Sequence, residues 1–412
     1  MIQKSRLHIP HPPARPGEAP DFSYLKISAP GEVPRPDVNT PAMEMADLAH
    51  SMVRVLKDDD KTTGPWNPHL EPEVLQVGLR HMMLTRAFDD RMQRVQRQGK
   101  ISFYIKSTGE EAVAVAQCMA LRPGDMLFPS YRQQGLQIAR GRKLVDLMCQ
   151  CLSNTRDMCK GRQMPIMYHS REGNLFSISG NLTTQYPQAV GWAMAAAMKG
   201  EDNLAASWIG DGSTAEPDFH HALTFASVYQ APVILNVVNN QWAISTFQAF
   251  AGGGREPFAA RGLGYGIPGI RVDGNDFLAV YAVTEWAAER ARTGAGPTLI
   301  EHVTYRASAH STSDDPSRYR PKEDSESWPL GDPIKRLKQY LVQLGVWTEK
   351  QHKALELELE KHASDSWKEA VTYGTMSEGP ALDPSDMFED VYKEIPEHLK
   401  RQREQMLAEG GK

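Results

Sequence analysis

The sequence predicts an α/β fold: a mostly parallel sheet covered by helices on both faces, with helical N- and C-terminal extensions. Three observations predict it. Short runs rich in branched or aromatic residues, at 126–128, 204–209, 233–238, 270–272 and 299–305, have strand character. Helical stretches separate them, as parallel strands require a crossover. The 412 residues are 41% hydrophobic and 24% charged, which are globular proportions. Collagen-like, coiled-coil and disordered classes drop out.

Taken in order, residues 1–70 read as an extended Pro-rich arm and a first helix. Eight prolines between Pro10 and Pro36 prevent regular structure. The arm is then a loose tail or is laid on a partner. Thr40-Pro41 offers an N-cap and a first-turn proline for a helix to about Lys57. Residues 71–331 form the α/β domain. A long helix spans 72–98, with Leu79, Met82 and Met83 among its periodic apolar positions. A short strand is expected at 103–105. Thr108-Gly-Glu-Glu111 reads as a capping box opening a helix to Ala120. Further helices are expected at 144–152, 185–198, 215–229 and 276–292, and a strand at 175–178. The polar stretch 307–331 is long enough to be a functional loop. Residues 332–412 form a helical C-terminal extension, with a second capping box at Thr348-Glu-Lys-Gln351.

Charge and composition narrow the function. A net charge of −5 gives no electrostatic reason to expect nucleic acid. No apolar run reaches the roughly 18 residues of a membrane span, and the N-terminus has neither signal- nor transit-peptide character. Cys118, Cys149, Cys151 and Cys159 lack zinc spacing and read as structural thiols of a cytoplasmic protein.

The strongest chemical signal is Trp208-Ile-Gly-Asp-Gly-Ser213, followed 26 residues later by Asn239-Asn240-Gln-Trp-Ala-Ile-Ser245. Each segment ends a strand. Neighbouring carboxyl ends in a parallel sheet form the usual ligand crevice. Asp211 and Asn240 converge there as hard oxygen ligands, and phosphate oxygens would complete the octahedron that Mg²⁺ prefers. A helix beginning near Thr214 would aim its N-terminus at the same anion. Gly264-Tyr-Gly266-Ile-Pro-Gly269 matches G-x-G-x-x-G, but a strand follows it, so it is a decoy for dinucleotide binding.

These two half-motifs at this separation resemble the thiamine diphosphate motif. The wider text, including Tyr131-Arg132, Gln185-Tyr-Pro-Gln-Ala-Val-Gly191 and His310-Ser-Thr-Ser-Asp-Asp315, resembles the alpha subunit of the decarboxylating component of the branched-chain 2-oxoacid dehydrogenase complex. The resemblance covers about residues 70–345, and the first 40 carry little of it. It implies the thiamine diphosphate-binding fold and, for the cofactor, Tyr131, Arg132, Gly180, Leu182, Gly210, Asp211, Gly212, Ser213, Asn240, Trp242, Ile244 and His310. It implies Mg²⁺ on Asp211, Asn240 and the Trp242 carbonyl, and a K⁺ site at Ser179, Thr184 and Gln185. Departures are Asp211 and Val238, where animal relatives have Glu and Arg, and Asn181, where relatives have Pro. His310, an imidazole able to titrate near neutral pH, is the candidate for proton transfer, and Arg306 for ordering the loop that bears it.

The resemblance implies oxidative decarboxylation of branched-chain 2-oxo acids and acylation of the lipoyl group of an acyltransferase core. It also implies a beta subunit, in a heterotetramer of two alpha and two beta chains, that supplies a glutamate to the cofactor. A pyruvate or acetoin dehydrogenase subunit, or a cofactor-free scaffold subunit, are the alternatives.

Overall fold

A computed structural model describes residues 7–410. In chain order the strands are β1 (Met52–Val53), β2 (Met126–Phe128), β3 (Ala205–Gly210), β4 (Val233–Asn239), β5 (Trp242–Ala243), β6 (Thr246–Phe247), β7 (Gly269–Asp273) and β8 (Thr298–Val303). The helices are α1 (Pro72–Arg97), α2 (Glu111–Ala120), α3 (Gln134–Ala139), α4 (Leu144–Leu152), α5 (Gln185–Met198), α6 (Pro217–Val228), α7 (Phe277–Arg292), α8 (Pro333–Gln343), α9 (Glu349–Val371) and α10 (Glu397–Gly410). Six strands pair in the order β1-β7-β8-β4-β3-β2, all parallel; β5 and β6 form a small antiparallel hairpin.

Side-chain alternation explains why both faces are covered. Val233, Leu235 and Val237 of β4 face a core with Tyr186 and Ala193 of α5 and Phe219 of α6. Ile234 and Val238 face the opposite core, with Leu79 of α1, Val113 of α2 and Phe277 of α7. The Ala-rich α5 lies close to β3 because small side chains permit it. α9 packs across α1 and α4, its Ala363 and Ala370 buried with Phe88 and Cys149. Thr348 caps α9, its hydroxyl accepting from Gln351 N at 3.2 Å. Cys118, Cys149 and Cys151 are buried free thiols and Cys159 is half-buried. Among the described residues no helix is long and apolar enough to cross a membrane.

Several expectations are corrected. The helix to Lys57 stops early: a 3₁₀ helix covers Ala42–Ala49, and the chain then joins the sheet as β1 beside β7. Residues 103–105 are not a strand, and 175–178 contributes only isolated bridges at Leu175, to Leu127 and Ser170. The first capping box does not form: the Thr108 hydroxyl has no partner, and Glu111 accepts instead from Gly109 N and Arg86. Helix 215–229 begins as a separate 3₁₀ turn, Gly212–Ala215, before α6, so the α6 N-terminus starts at Pro217 rather than at the glycine turn.

The described part of the arm is neither loose nor without contacts on its own chain. Prolines cannot donate, but their carbonyls accept. Pro34 O and Pro36 O take the indole N–H groups of Trp66 and Trp286, at 3.1 and 2.9 Å. Lys26 O takes Arg271 and Thr40 O takes Arg290. Phe22 sits edge-on to Tyr305 and Trp328.

Candidate active site

The register of β3 and β4 builds the site. Gly210 pairs with Val238, so Asp211 and Asn240 leave the sheet side by side. Asp211 turns at once into the 3₁₀ segment, its carbonyl accepting from Thr214 N and Oγ1. Gly212 is required by contact: a Cβ there would stand 2.4 Å from that of Ala243. At Gly210 a Cβ would meet nothing within 4 Å, so the strand ends against open space. That space is a cavity of about 390 Å³.

The cavity gathers most of the sequence-predicted residues. Gly210, Asp211, Gly212, Ser213, Asn240, Trp242 and Ile244 come from the two strand ends. Ser179, Gly180, Leu182 and Gln185 come from the segment entering α5, Tyr131 and Arg132 from the turn before α3, and His310 from the loop after β8. Thr184 and Arg306 do not line it.

Asp211 is buried, and its Oδ2 has no hydrogen-bond partner. Burial pushes its carboxyl up to about 7, against the Asp211 and Gly212 backbone amides and the charge of Arg306. The asparagine pair splits. Asn239 turns into the protein and donates to Glu301 Oε1 at 2.8 Å. Asn240 faces the cavity, its Nδ2 donating to Glu110 Oε1 at 2.8 Å. The chain beyond it is held in left-handed conformations that suit glycine, Gln241 at φ 77° and Ile244 at φ 54°, as is Thr183 at φ 66° across the cavity. Each costs about 1–3 kcal/mol and persists only where surroundings enforce it.

Arg306 braces the Trp242 and Ile244 end of that turn. Fully buried behind the hairpin, it donates to Trp242 O at 2.8 Å, Ile244 O at 2.9 Å and Tyr319 Oη at 2.7 Å. It thus ties the β5–β6 turn to loop 307–331. These contacts suit the expected role of ordering the loop that bears His310, and the Trp242 carbonyl expected on Mg²⁺ accepts one of them.

For His310 the expectation of titration near neutral pH is corrected. Its Nδ1 lies 3.1 Å from Arg132 Nη2, its ring is edge-on to Tyr131, and its backbone N–H donates to Asp314. Burial, with Arg132 and Arg306 nearby, pushes its pKa down to about 3. Accepting from a guanidinium at Nδ1 leaves the proton on Nε2. The ring is therefore a neutral Nε2–H donor, not a group that titrates near neutral pH. Ser179 and Thr184 turn their hydroxyls onto the backbone of Asn181, at 3.1 Å each, while the buried Gln185 Oε1 is unpartnered.

Glu110 escaped sequence reasoning. It lines the cavity, is buried, holds Asn240 and lies 3.6 Å from Arg132 Nε. Burial pushes it up to about 7. The available signal was the Glu110-Glu111 pair, which the capping-box reading absorbed. Among the described residues no three His, Cys, Asp or Glu side chains cluster for a metal. One carboxylate and one amide suffice only if a ligand brings further oxygens.

Comparison with known proteins follows the same line. The sequence model of the "Dehydrogenase E1 component" matches residues 79–377, and that of the "2-oxoisovalerate dehydrogenase E1 alpha subunit N terminal" matches 3–43. The second match corrects the expectation that the first 40 residues carry little resemblance. The chain is 60% identical over 401 residues to the 2-oxoisovalerate dehydrogenase subunit alpha of Pseudomonas aeruginosa, covering 97% of this chain and 98% of that one. It is 40% identical to the mitochondrial subunit alpha of Mus musculus and 39% to that of Homo sapiens, covering 82% of this chain and 76% and 75% of theirs. The chain belongs to the dehydrogenase E1 component family.

Proposed function

We propose that this chain is the alpha subunit of a 2-oxoisovalerate dehydrogenase, acting on branched-chain 2-oxo acids with thiamine diphosphate. The observation that carries the reading is the unpartnered, buried Asp211 carboxylate beside Asn240 at two adjacent strand ends. A cofactor-free scaffold leaves that carboxylate and the strained turn after it without a purpose.

Thiamine diphosphate, when bound, supplies the carbanion chemistry that releases carbon dioxide from a 2-oxo acid. The chain's own residues bind and orient it. Asp211 and Asn240 would hold Mg²⁺, with the Trp242 carbonyl as third protein oxygen. Tyr131 and Arg132 would hold the diphosphate, with the Nε2–H of His310 offered to an anionic oxygen. Gly180, Gly210, Gly212 and Ser213 give the backbone close approach. Leu182 and Ile244, both exposed toward the cavity, would carry the cofactor's apolar middle and aminopyrimidine. K⁺ at Ser179, Thr184 and Gln185 belongs to the same reading.

Among the described residues two carboxylates line the cavity, Glu110 and Asp211, and Glu110 is engaged by Asn240 and Arg132. The glutamate that the aminopyrimidine needs therefore comes from a beta subunit, in a heterotetramer of two alpha and two beta chains. The lipoyl arm of an acyltransferase core then takes the acyl group past loop 307–331, in the cytoplasm. The test is reconstitution with the beta subunit and assay of decarboxylation. A kcat/KM for 3-methyl-2-oxobutanoate at least about tenfold above that for pyruvate is expected; a preference for pyruvate overturns the substrate assignment.

A further inference from the structure

The turn that presents Asn240 and Trp242 passes through Gln241, fully buried and left-handed at φ 77°. A non-glycine residue holds that conformation only if its surroundings fix it. The backbone does not do so alone. Gln241 Nε2 donates to Asn239 O at 2.9 Å and to Thr304 O at 3.2 Å. That pins one end of the amide and leaves Oε1 to be satisfied. Its donor is the Tyr24 hydroxyl, at 3.0 Å, from the N-terminal arm 217 residues away.

Tyr24 is itself fixed. Its ring stands edge-on to Phe247, with centroids 5.3 Å apart, and Phe247 in turn packs on Trp242 at 5.4 Å. Phe22, two residues earlier, wedges against Tyr305 and Trp328, so the arm cannot slide without opening that aromatic cluster. Such pairs contribute about 0.5–1.5 kcal/mol each. The arm therefore meets the cofactor turn at both its side chain and its hairpin.

We propose that Tyr24 is a positioning residue for the cofactor site: through Gln241 it holds the non-glycine turn in the conformation that spaces Asn240 and Trp242 as oxygen ligands. This rests on the cofactor reading above. The arm is then a working part of the site supplied by the same chain. Tyr24 touches neither the cavity nor a reacting atom.

Two substitutions separate positioning from general packing. Tyr24→Phe keeps the ring on Phe247 and removes only the hydroxyl. Gln241→Gly removes the side chain that needs the hydroxyl and makes the left-handed turn unstrained. The assembled alpha–beta complex is titrated with thiamine diphosphate and Mg²⁺ by calorimetry, and its cofactor-free melting temperature is recorded. Tyr24→Phe should weaken cofactor binding about fivefold, as loss of one buried hydrogen bond does, and leave the cofactor-free melting temperature within about 2 °C. In the Gln241→Gly background, Tyr24→Phe should change binding less than about twofold, because its target is gone. Unchanged binding on Tyr24→Phe overturns the proposal. So does an equal loss in the Gln241→Gly background, or a melting temperature that falls in step with affinity in both. Failure of the unsubstituted complex to bind thiamine diphosphate would instead overturn the cofactor reading.

Discussion

The same three strands carry two buried polar clusters, four residues apart along each. Upstream lie Ser207, Asn236 and His302; downstream lie Asp211, Asn240 and Arg306. The upstream cluster is closed. Asn236 Oδ1 accepts from Gln117 Nε2 at 2.7 Å and His302 Nε2 at 3.0 Å, its Nδ2 donates to Ser207 O at 3.0 Å, and Gln117 Oε1 takes the Trp208 indole N–H. Burial holds His302 neutral, its pKa near 3. The Nδ1 lone pair of His302 is the one capacity left over there. The downstream cluster is open: Asp211 keeps an unpartnered carboxylate oxygen in low dielectric, and the turn after it is strained. Burial is equal in the two. What is left over differs: His302 keeps an imidazole nitrogen sealed in the core, whereas Asp211 keeps a carboxylate oxygen at a cavity wall, and that is where something outside the chain is meant to bind.

The comparison breaks most sharply at Asp211. Asp211→Asn should weaken cofactor binding about 100-fold or more, since the direct ligand proposed above matters at least as much as the groups that orient one. The cofactor-free melting temperature should hold or rise, because a buried charge is gone. A large fall in calorimetry would show that Asp211 serves the fold. Asn236→Ala should do the reverse. It strands donors from Gln117 and His302 and should cost about 2 kcal/mol in urea unfolding, while cofactor affinity of the folded protein changes less than twofold.

Acid gives the smallest effect and sharpens the closed cluster. His302 has a folded pKa near 3, below its free value of 6.5. Below pH 6.5 the unfolded chain binds a proton that the folded chain refuses, so stability present above that pH is lost as pH falls. From pH 6.5 to 5.5 the loss attributable to this residue is about 1 kcal/mol. His302→Gln should flatten the pH dependence of the melting temperature by that amount; an unchanged slope would place the titration elsewhere.

What the sequence made legible follows from this contrast. Strand ends were readable because branched residues stop where glycine and asparagine begin, and Asp211 and Asn240 were found from that change alone. Sheet membership of Met52–Val53 was not readable. Two residues show no period, and their strand exists only because β7 offers an edge. The Thr108 capping box failed because Glu111 is drawn to Arg86 of α1, a tertiary contact outweighing a local one. Arg306 was legible as a residue that orders the His310 loop, but only the fold shows its guanidinium turned to the Trp242 and Ile244 carbonyls. His310 looked titratable because nothing in the chain order reveals that Arg132, 178 positions earlier, lies against its ring.

The clasp between Phe22 and Trp328 also has a consequence for biosynthesis. The arm leaves the ribosome well before its aromatic seat, which includes Tyr305 and Trp328. At roughly 5–20 residues per second, some 300 residues of further translation leave Phe22 and Tyr24 without that seat for about 15–60 s. These contacts close long chain loops, the slow kind in folding. The arm is therefore among the last parts of the nascent chain to dock, and a chain cut short before Trp328 can neither seat it nor brace the turn beneath.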